Sequence, residues 1–333
     1  MKIAIDAMGG DNAPQEIVFG TLKIAEEKPE VTFRLFGDEA QINNYIEGEK
    51  PVNIEIIHTD EKIEGDDEPA KSIRRKKKAS MVLAARDVKD GNADALFSAG
   101  NTGALVAAGL LIVGRIKGID RPALMATIPQ IINEGKDFNM LDMGANSDAK
   151  PINLHQHAVL GSYYAKYIRG IDNPKVGLIN NGTEANKGNM LTQESYELIA
   201  NDERINFIGN VEASDVFNGK ADVLVADGFT GNAVLKTVEG TAKALIKLLK
   251  ETISEGGFNT KLGGLMLKDA LKEMSGSLNA EELGGAILIG VKAPVFKSHG
   301  SSKASAVYHT LGQTVDMVSK GIVDEVANAF KND

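Results

Sequence analysis

The chain has 333 residues, 43% hydrophobic and 25% charged, a balance ordinary for a globular protein and long enough to bury a large core. Its formal net charge of −9 argues against nucleic acid as a partner, because that role needs a basic surface. It contains no cysteine, which excludes disulfides, thiolate metal sites and a cysteine-bound thioester.

Met1 leads straight into a strand-like run with no signal-peptide pattern, and no apolar stretch is long enough to span a bilayer; both features predict a cytoplasmic protein. Further strand-like runs fall at 31–38, 52–58, 93–100, 123–128, 138–144, 175–180, 205–209 and 221–227. Helical patterns at 14–28, 81–90, 103–117, 151–169 and 187–200 lie between most of them. The alternation predicts an α/β fold, a doubly wound and mostly parallel sheet with helices on both faces. The chain reads as one two-lobed domain over 1–333 with a cleft. Residues 285–297 carry two short β-like runs broken by Pro294, which suggests an edge hairpin, and 301–330 reads as a closing helix.

The opening run Ile3–Ala7 stops at Gly9-Gly10, followed by Asp11, Asn12 and Pro14. Glycines allow a tight turn and bare backbone N–H groups near a ligand, and the polar residues suit a helix start. Taken alone, a plain strand-to-helix turn explains it equally well. Five later turns repeat the device: Ser98–Gly103, Asp142–Asn146, Asn180–Glu184 with Lys187-Gly188, Asp227–Asn232 and His299–Ser302. Helix starts offer unpaired N–H groups and partial positive charge, so together these turns point to a shared cleft for an anionic ligand. No stretch completes a dinucleotide fingerprint, a Walker A loop, a G-x-S-x-G elbow or H-E-x-x-H. His155 and His157, two apart near a helix start, read as capping or surface residues; His58 and His309 read as structural, and His299 as a site residue.

Lys71–Lys78 packs six cations into eight residues. A solvated helix face is one reading; a grip for an acidic protein or a phosphate is the other. Residues 240–254 form an amphipathic pattern, broken at Gly256-Gly257 and followed by Phe258, Leu262, Leu265 and Met266 among lysines. A protruding hairpin of about 240–275 is expected, serving a membrane surface, a dimer interface or a core pair.

The ordered set Ile5–Pro14, Arg74–Met81, Ser98–Ala104, Gly114–Pro122, Asp142–Asn146, Asp227–Asn232 and Lys292–Ser302 resembles the bacterial phosphate acyltransferase (PlsX) family. The resemblance runs over almost the whole chain, with Asn12 standing where a His is common. It implies a fold related to isocitrate and isopropylmalate dehydrogenases and phosphotransacetylases. It implies acyl transfer from an acyl carrier protein thioester to inorganic phosphate, giving an acyl phosphate for a membrane glycerol-3-phosphate acyltransferase in phospholipid synthesis. A homodimer, no cofactor and no metal, and peripheral association with the inner face of the cell membrane are implied as well.

The residues suit this chemistry. Phosphate is largely dianionic near neutrality and a thiol with a pKa of about 8.5 leaves readily, so positioning and oxyanion stabilisation are the demanding tasks. Direct transfer without a covalent acyl-enzyme is therefore expected. Substrate binding is assigned to Gly9, Gly10, Asn101, Thr102, Gly103, Asn146, Asn180, Gly182, Thr183, Thr230, Gly231, Asn232 and Ser301. Lys187, Asp227 and His299 are the catalytic candidates; Arg74, Arg75, Lys76 and Lys77 would dock the carrier. The alternative is a phosphotransacetylase-like enzyme using coenzyme A thioesters; a dehydrogenase of the related fold and a non-catalytic membrane scaffold are weaker.

Overall fold

The computed structural model describes residues 1–130, 137–268 and 285–331. The first half of the chain gives β1 (Lys2–Asp6), α1 (Gln15–Glu27), β2 (Thr32–Gly37), α2 (Glu39–Asn43), β3 (Ile54–His58), α3 (Pro69–Arg75), α4 (Ser80–Lys89), β4 (Ala95–Ser98) and α5 (Thr102–Ala108), with a π turn at Gly109–Val113. Then come β5 (Ala123–Pro129), β6 (Asp137–Leu141), α6 (Pro151–Tyr167), β7 (Lys175–Asn180), α7 (Met190–Ala200), β8 (Asn206–Glu212), β9 (Val223–Val225), α8 (Gly228–Glu255) and α9 (Phe258–Met266). After 284 the chain adds β10 (Ala286–Ile289), β11 (Val295–Lys297), α10 (Ala304–Ser319) and α11 (Ile322–Ala329).

The strands form one sheet in the order β3-β2-β1-β4-β11-β10-β5-β6-β9-β7-β8. Its inner strands read as continuous apolar runs because both faces are covered. One face carries Ile3, Ile5, Phe97 and Phe296, all fully buried, beneath α1, α6 and α10. The other carries Ala4, Leu96, Leu288 and Val295 beneath α4, α5 and the π turn. On that second face the later strands present Met140 and Leu224.

The sheet differs from expectation at its centre. β10 and β11 do make an antiparallel hairpin, but it sits mid-sheet, between β4 and β5. Val295 and Phe296 are too apolar for an edge, and Pro294 precedes the strand, so no ladder N–H is lost. Because β11/β10, β10/β5 and β5/β6 are all antiparallel, polarity reverses three times across the centre. Strands β6, β9, β7 and β8 therefore run opposite to β1, β4 and β11. Two parallel blocks share one sheet with their carboxyl ends at opposite edges.

The closing helix is two helices, divided at Gly321, whose φ of +61° is a left-handed conformation no continuing helix adopts. The amphipathic helix expected from 240 begins at Gly228 and runs 28 residues. Beyond its first turn none of its side chains is buried, and α9 folds back so that Gly264 lies against Ile253. Residues 269–275 of the expected hairpin lie outside the described residues.

Candidate active site

A cavity of about 700 Å³ opens on the second face, over the carboxyl ends of β1, β4 and β11. Asp6, Ser98 and Lys297 sit side by side in the register of these strands, and of the three Lys297 lines the cavity. Asp6 is buried and accepts hydrogen bonds from the hydroxyls of Ser80 at 2.5 Å and Ser98 at 2.7 Å. Burial pushes its carboxyl above the ordinary range, against those hydrogen bonds. Asp6 thus braces the turn from below. A side chain at Gly9 would lie 2.4 Å from its Oδ2, so the two turns pack backbone to backbone. Gly9 consequently lies beneath the cavity rather than in its wall, whereas Gly10, at φ +110°, lines it.

The third turn is tied to the first. Asp11 N–H donates to Gly300 O at 2.8 Å, and the Asn12 side-chain amide donates to Ser301 O at 3.0 Å. His299 and Ser301 share a hydrogen bond of 2.9 Å between Nδ1 and Oγ. His299 lines the cavity, as do Asn101, Thr102, Gly103 and, from α8, Asn232. Asn101 caps α5 through its Oδ1 and ties down the neighbouring loop by donating to Gly65 O at 2.9 Å.

Sequence reasoning missed the main cation. Lys297 ends β11 at 8% exposure, in the cavity wall, and donates to the Ser298 carbonyl. Burial lowers its ammonium pKa to about 8, opposed by the carboxylate of Asp11. The signal was legible: a lysine directly after Val295-Phe296, in an apolar strand, immediately before His299-Gly-Ser-Ser302. Two more lysines line the rim, Lys62 paired with Glu64 at 3.2 Å and Lys236 paired with Glu239 at 2.8 Å.

The turns after β6 and β9 reach the cavity through Met143 and Asn232, while their predicted Asp, Thr and Gly groups are engaged within the fold. Asp142 accepts from the N–H groups of Leu124, Ala145 and Asn146 at 2.7–3.0 Å, and Asn146 also donates to Pro122 O at 2.7 Å. Asp227 caps α8, accepting from Thr230 N at 2.9 Å and Thr230 Oγ1 at 2.7 Å. Gly231 packs on that turn, where a Cβ would lie 2.0 Å from Asp142 O. Asn180 donates to Lys187 O at 3.1 Å and closes the loop holding Gly182 and Thr183. None of Asn146, Asn180, Gly182, Thr183, Lys187, Asp227, Thr230, Gly231 or Ser301 lines the cavity.

The histidine reading is also corrected. His157 is fully buried, with Nε2 3.1 Å from Arg121 O, and burial holds it below the usual imidazole range. His155 pairs with Asp202 at 2.7 Å. Both sit within α6 rather than at its start, which turns them inward. Among the described residues no three His, Asp or Glu side chains converge as a metal site, and no helix is long and apolar enough to cross a membrane. In the basic run Arg74, Arg75 and Lys77 are exposed, while Lys76 bonds Asp67 at 2.5 Å and holds that carboxyl below its ordinary range.

The family described as "Fatty acid synthesis protein" matches residues 1–325. The phosphate acyltransferase of Streptococcus pneumoniae (strain Hungary19A-6) is 58% identical over 332 residues, covering 100% of this chain and 99% of its own. That of Streptococcus uberis is 56% identical over 332 residues, covering 100% and 98%. Among solved structures, a phosphotransacetylase from Streptococcus pyogenes superposes with a TM-score of 0.64 at 17% identity, covering 96% of this chain and 94% of that one. The EutD phosphotransacetylase from Staphylococcus aureus does so with a TM-score of 0.58 at 17% identity, with the same coverage of 96% and 94%. These likenesses show a shared fold. With full-length identity well above half, the chain belongs to the bacterial phosphate acyltransferase family and is an acyltransferase.

Proposed function

We propose that the protein transfers a fatty acyl group from an acyl carrier protein thioester to inorganic phosphate, releasing an acyl phosphate. The observation that carries this reading is Lys297, a cation buried in the cavity wall that donates to the carbonyl of Ser298 beside it. An anion laid between Lys297, Thr102 and His299 supplies the counter-charge that a buried ammonium needs. A phosphate oxygen attacks the thioester carbonyl carbon; the C–O bond forms, the C–S bond breaks, and the thiolate leaves to take a proton from solvent. Phosphate is already dianionic and the thiol leaves at a pKa of about 8.5, so no strong base or acid is needed. What the chain supplies is orientation and charge.

The exposed cations Arg74, Arg75 and Lys77 receive the acidic carrier on the rim formed by residues 62–67, with Lys76 fixing that rim. Around α8 and α9, Leu245, Leu248, Phe258, Leu262, Leu265 and Met266 are exposed among lysines, a pattern suited to shallow seating on a lipid surface. A homodimer, seated on the inner face of the membrane near a glycerol-3-phosphate acyltransferase that consumes the product, completes the reading.

Trapping the product with hydroxylamine tests the reaction. Above the enzyme-free background of direct thioester aminolysis, acyl hydroxamate should form from the acyl carrier thioester only when phosphate is present. Phosphate-independent release would overturn the proposal, as would an acyl-enzyme adduct in the intact mass for the direct route. Faster turnover with coenzyme A thioesters than with the carrier would favour the phosphotransacetylase-like alternative.

A further inference from the structure

One row of the sheet changes character as it crosses the cavity, which it lines at Lys297, Ala286 and Ala126. In register, Asp6 faces Ser98, Ser98 faces Lys297, and Lys297 faces Ala286. β10 pairs Ile287 with Met125, which sets Ala286 opposite Ala126, and Ala126 faces Met140. Residues paired this way share a face, so the row reads acid, hydroxyl, cation, methyl, methyl, thioether across neighbouring strands. Ala286 and Ala126 both line the cavity and both are half-buried, although every neighbour of theirs one step deeper on this face is a large buried aliphatic: Val295, Leu288 and Leu124.

Helix packing explains why the gap is there. The loop at 62–65 and the start of α5 at Asn101–Gly103 form one wall. α8 forms the opposite wall, its Asn232 lying beside Gly144 and its Leu235 lining the cavity. Between the walls the alanines leave an open strip, bordered by Leu124, Met143 and Leu235. Strands lie about 4.8 Å apart, so Ala126 stands roughly 10 Å from the Lys297 position along the row.

We propose that this strip is the acyl-chain channel, and that the Ala126–Ala286 pair sets how long a chain the enzyme accepts. The inference rests on the acyl-transfer reading above. With the phosphoryl group at Lys297, a thioester carbonyl beside it sends its alkyl tail over Ala286 and Ala126 toward Met143. Small side chains are needed there because a larger one would occupy the space of the tail, and apolar ones because each methylene must leave water.

Ala126→Leu and Ala286→Leu test it, with butanoyl and hexadecanoyl carrier thioesters as donors and hydroxamate as readout. Each buried methylene is worth about fourfold in binding, so displacing about three should lower the hexadecanoyl to butanoyl ratio of kcat/KM by roughly 60-fold. A shift of at least tenfold supports the channel. An unchanged ratio in variants that keep the wild-type melting temperature overturns it. Should leucine unfold the protein, Ala286→Val carries the test: a severalfold shift the same way supports the channel, and none overturns it. Wild-type protein that turns over neither donor removes the underlying reaction; wild-type turnover with unshifted variants removes only the channel.

Discussion

Two sets of glycine-rich turns look alike in sequence and do different work. At the carboxyl ends of β1, β4 and β11, polar groups meet around an open cavity, and Lys297 is held there against its solvation preference. At the carboxyl ends of β6, β9 and β7, at the opposite edge, Asp142, Asn146, Asp227, Thr230 and Asn180 are engaged with one another or with backbone. The first set gathers a buried cation and polar side chains around one cavity. The second resembles a brace that anchors α8. A motif of Gly, Asn, Asp and Thr therefore specifies a tight turn, and what packs around the turn decides which of its side chains reach the cavity.

Removing the cation is the sharpest way to break the comparison. Lys297→Met should lower kcat/KM for phosphate at least a hundredfold, or about 3 kcal/mol of transition-state stabilisation. Lys187→Ala, in the other set, should cost less than tenfold. An equal loss at Lys187 would bring its loop into the chemistry and dissolve the distinction. Stability should move the other way. Lys297 falls from 10.5 in the unfolded chain to about 8 when folded, so below about pH 8 the fold carries a cation it disfavours. Lys297→Met should raise the melting temperature at pH 7, and the gain should fade between about pH 8 and 10.5, where the unfolded lysine still holds its proton and the folded one does not. A melting temperature that falls at pH 7 would mean the ammonium is better satisfied than its surroundings suggest.

Gly231→Ala probes the brace. Its Cβ would sit 2.0 Å from Asp142 O, a backbone atom that cannot yield, and overpacking of this kind costs about 1–3 kcal/mol. Denaturant unfolding should show that loss, with the KM for phosphate within twofold of wild type. A large rise in that KM would place the brace in contact with substrate.

The pH profile is a gentler test of the mouth. As the Lys297 ammonium loses its proton above about pH 8, log kcat/KM for phosphate should fall with a slope of about −1, and Lys297→Met should lack that limb. A plateau to pH 10 would show that some other cation holds the anion.

Much of the fold was legible because apolar strand runs and helical periods were clean: β7 spans the predicted 175–180, and α1, α4 and α6 fall inside their predicted spans to within a residue. What the residues could not reveal is long-range order. Pro294 and a pair of three- to four-residue strands suggest an edge, and only pairing with β4 and β5 shows the hairpin central and reverses the sheet behind it. That one insertion sends the carboxyl ends of β6, β9 and β7 to the other edge, so their turns reach the cavity through Met143 and Asn232 rather than through the predicted Asp, Thr and Gly groups. Gly10, Asn101, Thr102, Gly103, Asn232 and His299 were readable as cavity residues; Lys297 was readable too, as a lone lysine closing an apolar run, but was passed over as strand. Phe258 and its neighbours were readable as exposed apolar groups, since no helix in the described chain covers α9 except α8.

The smallest effect separates capping from catalysis. Asp227 lies at the start of a 28-residue helix, and both its carboxylate oxygens are engaged by Thr230. Losing an N-cap of this type costs about 1 kcal/mol. Asp227→Ala should therefore show that loss by denaturant unfolding, with Asp227→Asn or Asp227→Ser recovering most of it, because either side chain can still accept from Thr230 N–H. If Asp227 instead oriented substrate, the serine variant would fold as well as wild type and still lose activity by more than tenfold. Stability and turnover recovering together in the serine variant would assign Asp227 to the brace.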